Sequence, residues 1–456
     1  MEHTKKEEIF ETYSVPKAVA TLSVPTILSS LVMVIYSLAD TYFVGLLNDP
    51  IQSSAVTLAA PVLLAFNAIN NLFGIGGSSM MSRALGRKDY DTLRRSSSFS
   101  FYGALIFGGL FGLLCTVFRA PLLTMLGADA STAVSTGQYL NWTVTFGSIP
   151  AILNVVMAYM IRSEGSAMHA SIGTMSGCLL NIVLDPIFVL PFGLNMGAAG
   201  AALATFISNC VALIYFLAYL FVNKRNTYVC ISPRAFSLKK DVLSGVFAVG
   251  IPASIQNLLN VIGMTILNNF ASPFGTQALA AMGISSRINM FPMYIFLGLS
   301  QAIMPLVSYN YASGNIQRMK ESLYFTRRIA VLLCLAITSV FLLFPEPLVR
   351  IFINDAGTIA YGAEFLKGLC LALPFMCIDF IAVNTFQAVG MGKESLIFAI
   401  LRKIVLEIPA LVILNALFPL YGLAYAQAIA EFILAIAGTI VLARFIKKQE
   451  LRVSNP

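Results

Sequence analysis

The sequence predicts an all-α integral membrane protein of twelve transmembrane helices in two pseudo-twofold-related six-helix bundles. Three observations carry that expectation. Of the 456 residues, 58% are hydrophobic and only 11% are charged. The apolar residues gather in twelve long runs. Landmark residues of the first half recur in the second at a nearly constant offset. A soluble domain carries about 25% charged residues, so composition excludes a soluble globule. The mean hydropathy of +0.81 agrees. The unit to count is therefore a helix of about 20 apolar residues, long enough to cross the hydrocarbon layer.

The runs of the first half cover 16–45, 53–81, 96–118, 136–161, 169–191 and 197–222. Those of the second half cover 242–270, 277–308, 326–345, 359–388, 397–416 and 421–443. Several exceed 25 residues and contain Pro, Gly or Asn, as tilted or kinked helices do. Pro25 removes one backbone hydrogen bond in span 1 and is the candidate hinge there. The four glutamates and the lysines before span 1 leave no short apolar core or A-x-A site for a cleaved signal peptide. The first span is expected to act as the insertion signal.

Lys and Arg set the expected orientation. Of the 29, 25 fall on one side: the N-terminus, the loops after spans 2, 4, 6, 8 and 10 with their flanks, and the tail. Arg402 and Lys403, at the start of span 11, are counted there. Arg119 and Arg350 fall in the opposite loops, and Arg287 and Lys367 within spans. Both termini are thus expected on the cytoplasmic side of a prokaryotic plasma membrane. The formal net charge of +8 is explained by topology, without nucleic acid as a partner.

The repeat rests on four pairs. Pro25 matches Pro252, Gly86 matches Gly314, Gly165 matches Gly390, and Gly197 matches Gly422. The offsets are 227, 228, 225 and 225. Six spans per half is an even number, so the halves share one orientation, related by an axis along the membrane normal. The expected division is a lobe over 1–225, a linker over 226–240 and a second lobe over 241–456. Duplication in one chain favours a carrier that works as a monomer over a pore built from identical subunits.

Intramembrane acids point to function, because an ionisable side chain at bilayer depth is costly and marks an ion or substrate path. Asp40 lies in span 1 and Asp185 in span 5. Asn181 is four residues before Asp185, so the two share a helix face. Thr205, like both acids, falls in the outer part of its span. Carboxylates, an amide and a hydroxyl are hard oxygen donors that suit a small cation or a proton. Asp379 is a further acid, in span 10. Glu407 and Glu431 are read as structural, Glu407 paired with Lys403 one turn away. Arg287 is read as structural too, paired with an acid across the bundle.

The segments VPTILSSLVMVIYSLADTYFVG, SRALGRKD, RSEGSAMHA and LNIVLDPIFVLPFGLNMGAAGAALAT resemble the multidrug and toxic compound extrusion (MATE) family. The likeness is greatest to its prokaryotic DinF-like and MepA-like branch, and it extends over nearly the whole chain. It implies a secondary antiporter that exports amphipathic, often cationic compounds against inward H+ or Na+, with no other cofactor. It assigns the cation site to Asp40, Asn181, Asp185 and Thr205. Tyr36 and Asn154 would complete that shell and, with Asp40, Gln256, Asn260 and Asp379, meet the substrate. It also implies bending of span 1 near Pro25. Span 7 departs from the pattern, because Asn260 stands where some relatives carry Glu.

Other classes fit less well. A flippase for lipid-linked oligosaccharide needs a basic cleft, and the intramembrane charge here is mainly acidic. A membrane transferase needs a DDxxD-type pair, which is missing. HExxH, GxSxG and Walker motifs are missing as well, so no enzyme activity and no direct use of ATP is expected. Two histidines, His3 and His169, do not make a metal centre, and seven cysteines without CxxC make no disulfide framework.

Overall fold

A computed structural model describes residues 5–454; His3 lies outside them. Helix dominates, and no strand occurs among the described residues. Among the described residues nine helices are long and apolar enough to cross a membrane, and so are two bent helix pairs taken as single spans. In order the spans are α1 (Val15–Gly45), α2 (Pro50–Gly86), α3 (Tyr90–Val117), α4 (Ala133–Phe146 and Ser148–Ser163), α5 (Ala167–Val189) and α6 (Ala198–Val222). They continue as α7 (Lys240–Ala271), α8 (Thr276–Ala312), α9 (Ile316–Leu343) and α10 (Ala356–Cys370 and Leu373–Val389). The helical run 392–417 is α11, and Gly422–Ser454 is α12. The twelve segments follow the twelve apolar runs. Only α11 fails the apolarity test, because Arg402, Lys403 and Glu407 fall in every window of it long enough to cross.

Helix starts follow local side-chain chemistry. Asp49, Asp89, Asn315 and Asp355 each accept a backbone N–H in the first turn of α2, α3, α9 and α10, at 2.9, 3.1, 3.2 and 2.8 Å. Helix breaks follow proline and glycine. The halves of α4 meet at 51° around Gly147, and those of α10 at 42° just before Pro374. Gly165 and Gly390, one landmark pair, both adopt left-handed φ, +90° and +85°, where a Cβ would be strained. The pair Gly86 and Gly314 differs: Gly314 is left-handed, whereas Gly86 stays helical and Lys88 takes the positive φ. Three π-helical stretches interrupt the spans, Asn71–Ile75 in α2, Asn141–Phe146 in α4 and Leu401–Glu407 in α11.

The chain forms two compact units. Unit 1 holds the N-terminal residues through Ile9 and Leu28–Ser254; unit 2 holds Phe10–Ile27 and everything from Ile255. Two of the three boundaries fall two residues beyond a helix proline, Pro25 in α1 and Pro252 in α7.

Within unit 1, α5 packs along α6, and α4 lies against both. Small residues allow close approach, as is usual between membrane helices. A Cβ on Gly76 of α2 would meet Val246 O and lie 3.1 Å from Gly250 Cα of α7. The connection 223–239 is fastened to this unit by Cys230 N–H to Ser97 Oγ (2.9 Å), Ser98 Oγ to Ser232 O (2.8 Å) and Tyr102 Oη to Ile231 O (2.9 Å). Within unit 2, both α8 and α12 pack on α10. Its apolar core is rich in alanine, with Ala271, Ala278, Ala281, Ala424 and Ala426 around Phe365 and Leu411. All seven cysteines are free.

Candidate functional site

Helical spacing builds the first cluster. Tyr36 and Asp40 are one turn apart on α1, as are Asn181 and Asp185 on α5; Thr205 faces them from α6. Asn181 and Asp185 are buried, at 1% and 0% exposure. The Asn181 amide nitrogen donates to Asp185 Oδ2 at 2.8 Å and Oδ1 at 3.2 Å. Its oxygen accepts the Thr205 N–H at 3.0 Å and hydroxyl at 3.1 Å. The opposite amide orientation would set oxygen against a carboxylate, so the network fixes this one. Tyr36 lies within electrostatic reach of Asp40 and Asp185. Asp40 and Asp185 in turn interact with each other. Asp40 Oδ1 is shielded from solvent and has no hydrogen-bond partner.

The structure thus brings Asp40, Asn181, Asp185, Thr205 and Tyr36 together inside unit 1. Asn154 of α4 is engaged one step away. It donates to its own helix at Pro150 O and to Asn209 Oδ1, both at 2.9 Å, and Asn209 is one turn beyond Thr205 on α6. Tyr139 also borders the cluster, buried and within electrostatic reach of Asp40, Tyr36 and Asp185. Sequence reading missed it, because a tyrosine in an apolar run carries no periodic signal. Among the described residues no three His, Cys, Asp or Glu converge, so an ion here would take its remaining oxygens from Asn181, Thr205 or Tyr36.

An apolar layer lies one turn away. Val44, Val189 and Ala201 are each four residues from Asp40, Asp185 and Thr205, and they pack together with Leu190, Phe43, Leu47 and Val56. The polar cluster is therefore closed on that side by a dry hydrocarbon contact.

In unit 2, Asp379 sits at 0% exposure on α10, in ion-pair contact with Arg402 of α11. Arg402 Nε is 3.3 Å from Glu431 Oε1 of α12. Arg402, counted from sequence only as one of the basic residues of one side, is buried at 2% in the π-helical stretch of α11. Two acids inside the bundle supply the compensation that lets a guanidinium stay there. Lys403 and Glu407 pair as expected, at 2.7 Å. Arg287 does not pair across the bundle; it is exposed and has no ion pair among the described residues. Gln256 accepts from Gln387 at 3.2 Å, and Asn260 is exposed. No hydrogen bond joins either to Asp379 among the described residues.

Outside the spans, the short helix Lys5–Glu11 carries a further cluster that sequence reading did not single out. In unit 1, buried Glu164 accepts Lys6 Nζ at 2.5 Å, Tyr219 Oη at 3.0 Å, Thr227 Oγ1 at 2.9 Å and Tyr228 N–H at 2.6 Å. Glu7 accepts Lys88 Nζ at 2.9 Å, Tyr228 Oη at 2.7 Å and Tyr90 Oη at 3.3 Å. Burial pushes the Glu7 carboxyl up, but these bonds outweigh it and hold the group below its ordinary value.

Comparison with known proteins decides what this architecture is. The MatE family model matches twice, over residues 25–187 and 252–413, so each match begins at one of the paired prolines. The chain belongs to the MatE family. The multidrug export protein MepA of Staphylococcus saprophyticus is 35% identical over 435 residues, 95% of this chain and 94% of that protein. Two solved structures, of MATE in the straight and in the bent conformation, are each 27% identical, with TM-scores of 0.92 and 0.91. They cover 98% and 100% of this chain and are themselves covered completely. As a MatE member the chain is a transporter rather than an enzyme, with multiple spans in the bacterial cytoplasmic membrane.

Proposed function

We propose that this MatE chain is a secondary antiporter that exports amphipathic, often cationic compounds while H+ or Na+ moves inward. The observation that carries the reading is the Asp40–Asn181–Asp185–Thr205 cluster. Two neighbouring acids in apolar surroundings raise the electrostatic free energy unless a cation or proton compensates them. Asn181 already satisfies Asp185 on one side. Asp40 Oδ1, shielded and without a donor, is the atom on which an incoming positive charge is best received.

Binding there draws α1 towards α5 and α6, and α1 has its weak point at Pro25. A coupling ion that binds one conformation better than the other shifts their populations and changes the affinity for the exported compound. The chain acts as a monomer, its N-terminus and tail on the cytoplasmic side. The likeness to a multidrug export protein supports a broad range of small-molecule substrates.

The test is ethidium efflux from an efflux-deficient bacterium, with Asp185→Asn beside the parent at matched protein level. Efflux by the parent and none by the variant is the expected result. Exchange of Na+ for K+ at fixed pH then names the ion. Full efflux by the variant would remove the proposed coupling site.

A further inference from the structure

We infer that Arg402 is a tethered cation that occupies the acidic site of unit 2, and that a cationic substrate reaches Asp379 only by displacing it. The inference rests on the export reading above and deepens it. Three sets of contacts hold the guanidinium. Asp379 and Glu431 supply carboxylates from α10 and α12, and the Phe380 ring lies 5.1 Å from the guanidinium carbon. Two carboxylates with an aromatic face are also what recognises a flat organic cation.

The charge count favours exchange. Arg402 brings one positive charge against two buried acids, at 0% and 1% exposure. The neighbouring cation Lys403 is committed to Glu407 at 2.7 Å. Glu431 Oε2 makes no hydrogen bond. The site therefore has more acceptor capacity than its resident cation uses.

The backbone favours movement. Arg402 stands in the π-helical stretch Leu401–Glu407, where the regular helix ladder is broken. Such stretches concentrate at functional positions, because a local change of register there rotates a side chain at low cost.

Resident and incoming cations compete, so apparent affinity falls by the fraction of sites that Arg402 fills. The experiment is fluorescence titration of the purified full chain with ethidium, a cation, and Nile red, which is neutral. Arg402→Gln should bind ethidium roughly tenfold tighter than the parent. Arg402→Lys keeps the charge but gives up the forked contact, and should shift in the same direction by a smaller factor. Adding Asp379→Asn to Arg402→Gln should cancel the gain, and Nile red should bind all forms alike.

A merely structural arginine would weaken both dyes together or change neither, and either result would overturn the inference. If Arg402→Gln cannot be purified, the lysine variant decides alone, and an unchanged ethidium affinity sinks the idea. Equal ethidium binding by parent and variants removes only the Arg402 role. Absence of ethidium binding by every form overturns the export reading as well.

Discussion

The Asn181 amide nitrogen lies 2.8 Å from Asp185 Oδ2, one helical turn away on α5. The other end of the same amide holds Thr205 of α6, so one side chain both orients the acid and joins two helices. Asn181→Ala would leave the buried carboxylate without its donor. A hydrogen bond to a charged group is worth about 1.5–3 kcal/mol. Affinity for the coupling ion should therefore rise by roughly 10- to 100-fold, read as a shift of the Na+ dependence of ethidium efflux to lower concentration, or of its pH dependence to higher pH. An unshifted dependence would show that Asn181 only packs.

Val189 and Val44 seal the polar cluster with an apolar layer, and a hydrophobic constriction excludes water and ions by dewetting. Val189→Ser should wet it. The expected outcome is an ion leak uncoupled from substrate, seen as faster collapse of an imposed gradient in proteoliposomes without added drug. A leak equal to that of the parent would contradict the sealing role.

Pro25 leaves α1 one backbone hydrogen bond short at the boundary between its two parts. Proline inside a helix costs about 3 kcal/mol relative to alanine. Pro25→Ala should therefore raise the melting temperature while it slows efflux, because the helix becomes harder to bend. Unimpaired efflux in a stabilised variant would dismiss Pro25 as a hinge.

Gly76 of α2 and Gly250 of α7 cross so closely that an added Cβ on Gly250 meets the Leu72 carbonyl. Overpacking of this kind costs about 1–3 kcal/mol. Gly250→Ala should lower the melting temperature in detergent, whereas Gly45→Ala, with nothing within 4 Å of its Cβ, should stay near the parent.

Glu7 gives a pH signature. Its carboxyl is held below the ordinary glutamate value of about 4.3, so its contribution is complete above that value and is lost as pH falls through the lower folded one. At pH 7 the parent should be more stable than Glu7→Gln by about 1 kcal/mol. The gap should shrink as pH falls below the ordinary glutamate value, measured by thermal unfolding across the acid range. A gap that stays constant with pH would separate Glu7 from the docking of the N-terminal helix.

Twelve apolar runs, the paired landmarks and the acids within the spans were all legible in the sequence, because span length and the cost of buried charge are properties of local composition. So was the shared face of Asn181 and Asp185 on α5, since the two are four residues apart. The apolar layer was not legible. Val44, Val189 and Ala201 are ordinary span residues until the packing of α1, α5 and α6 sets them one turn from the polar atoms. Tyr139 and Asn209 escaped for the same reason. Arg402 shows the limit most clearly: in one dimension it is a basic residue at the edge of a span, to be counted with the loops. Only the three-dimensional approach of Asp379 and Glu431, from helices before and after it in the chain, supplies the charge that keeps it inside.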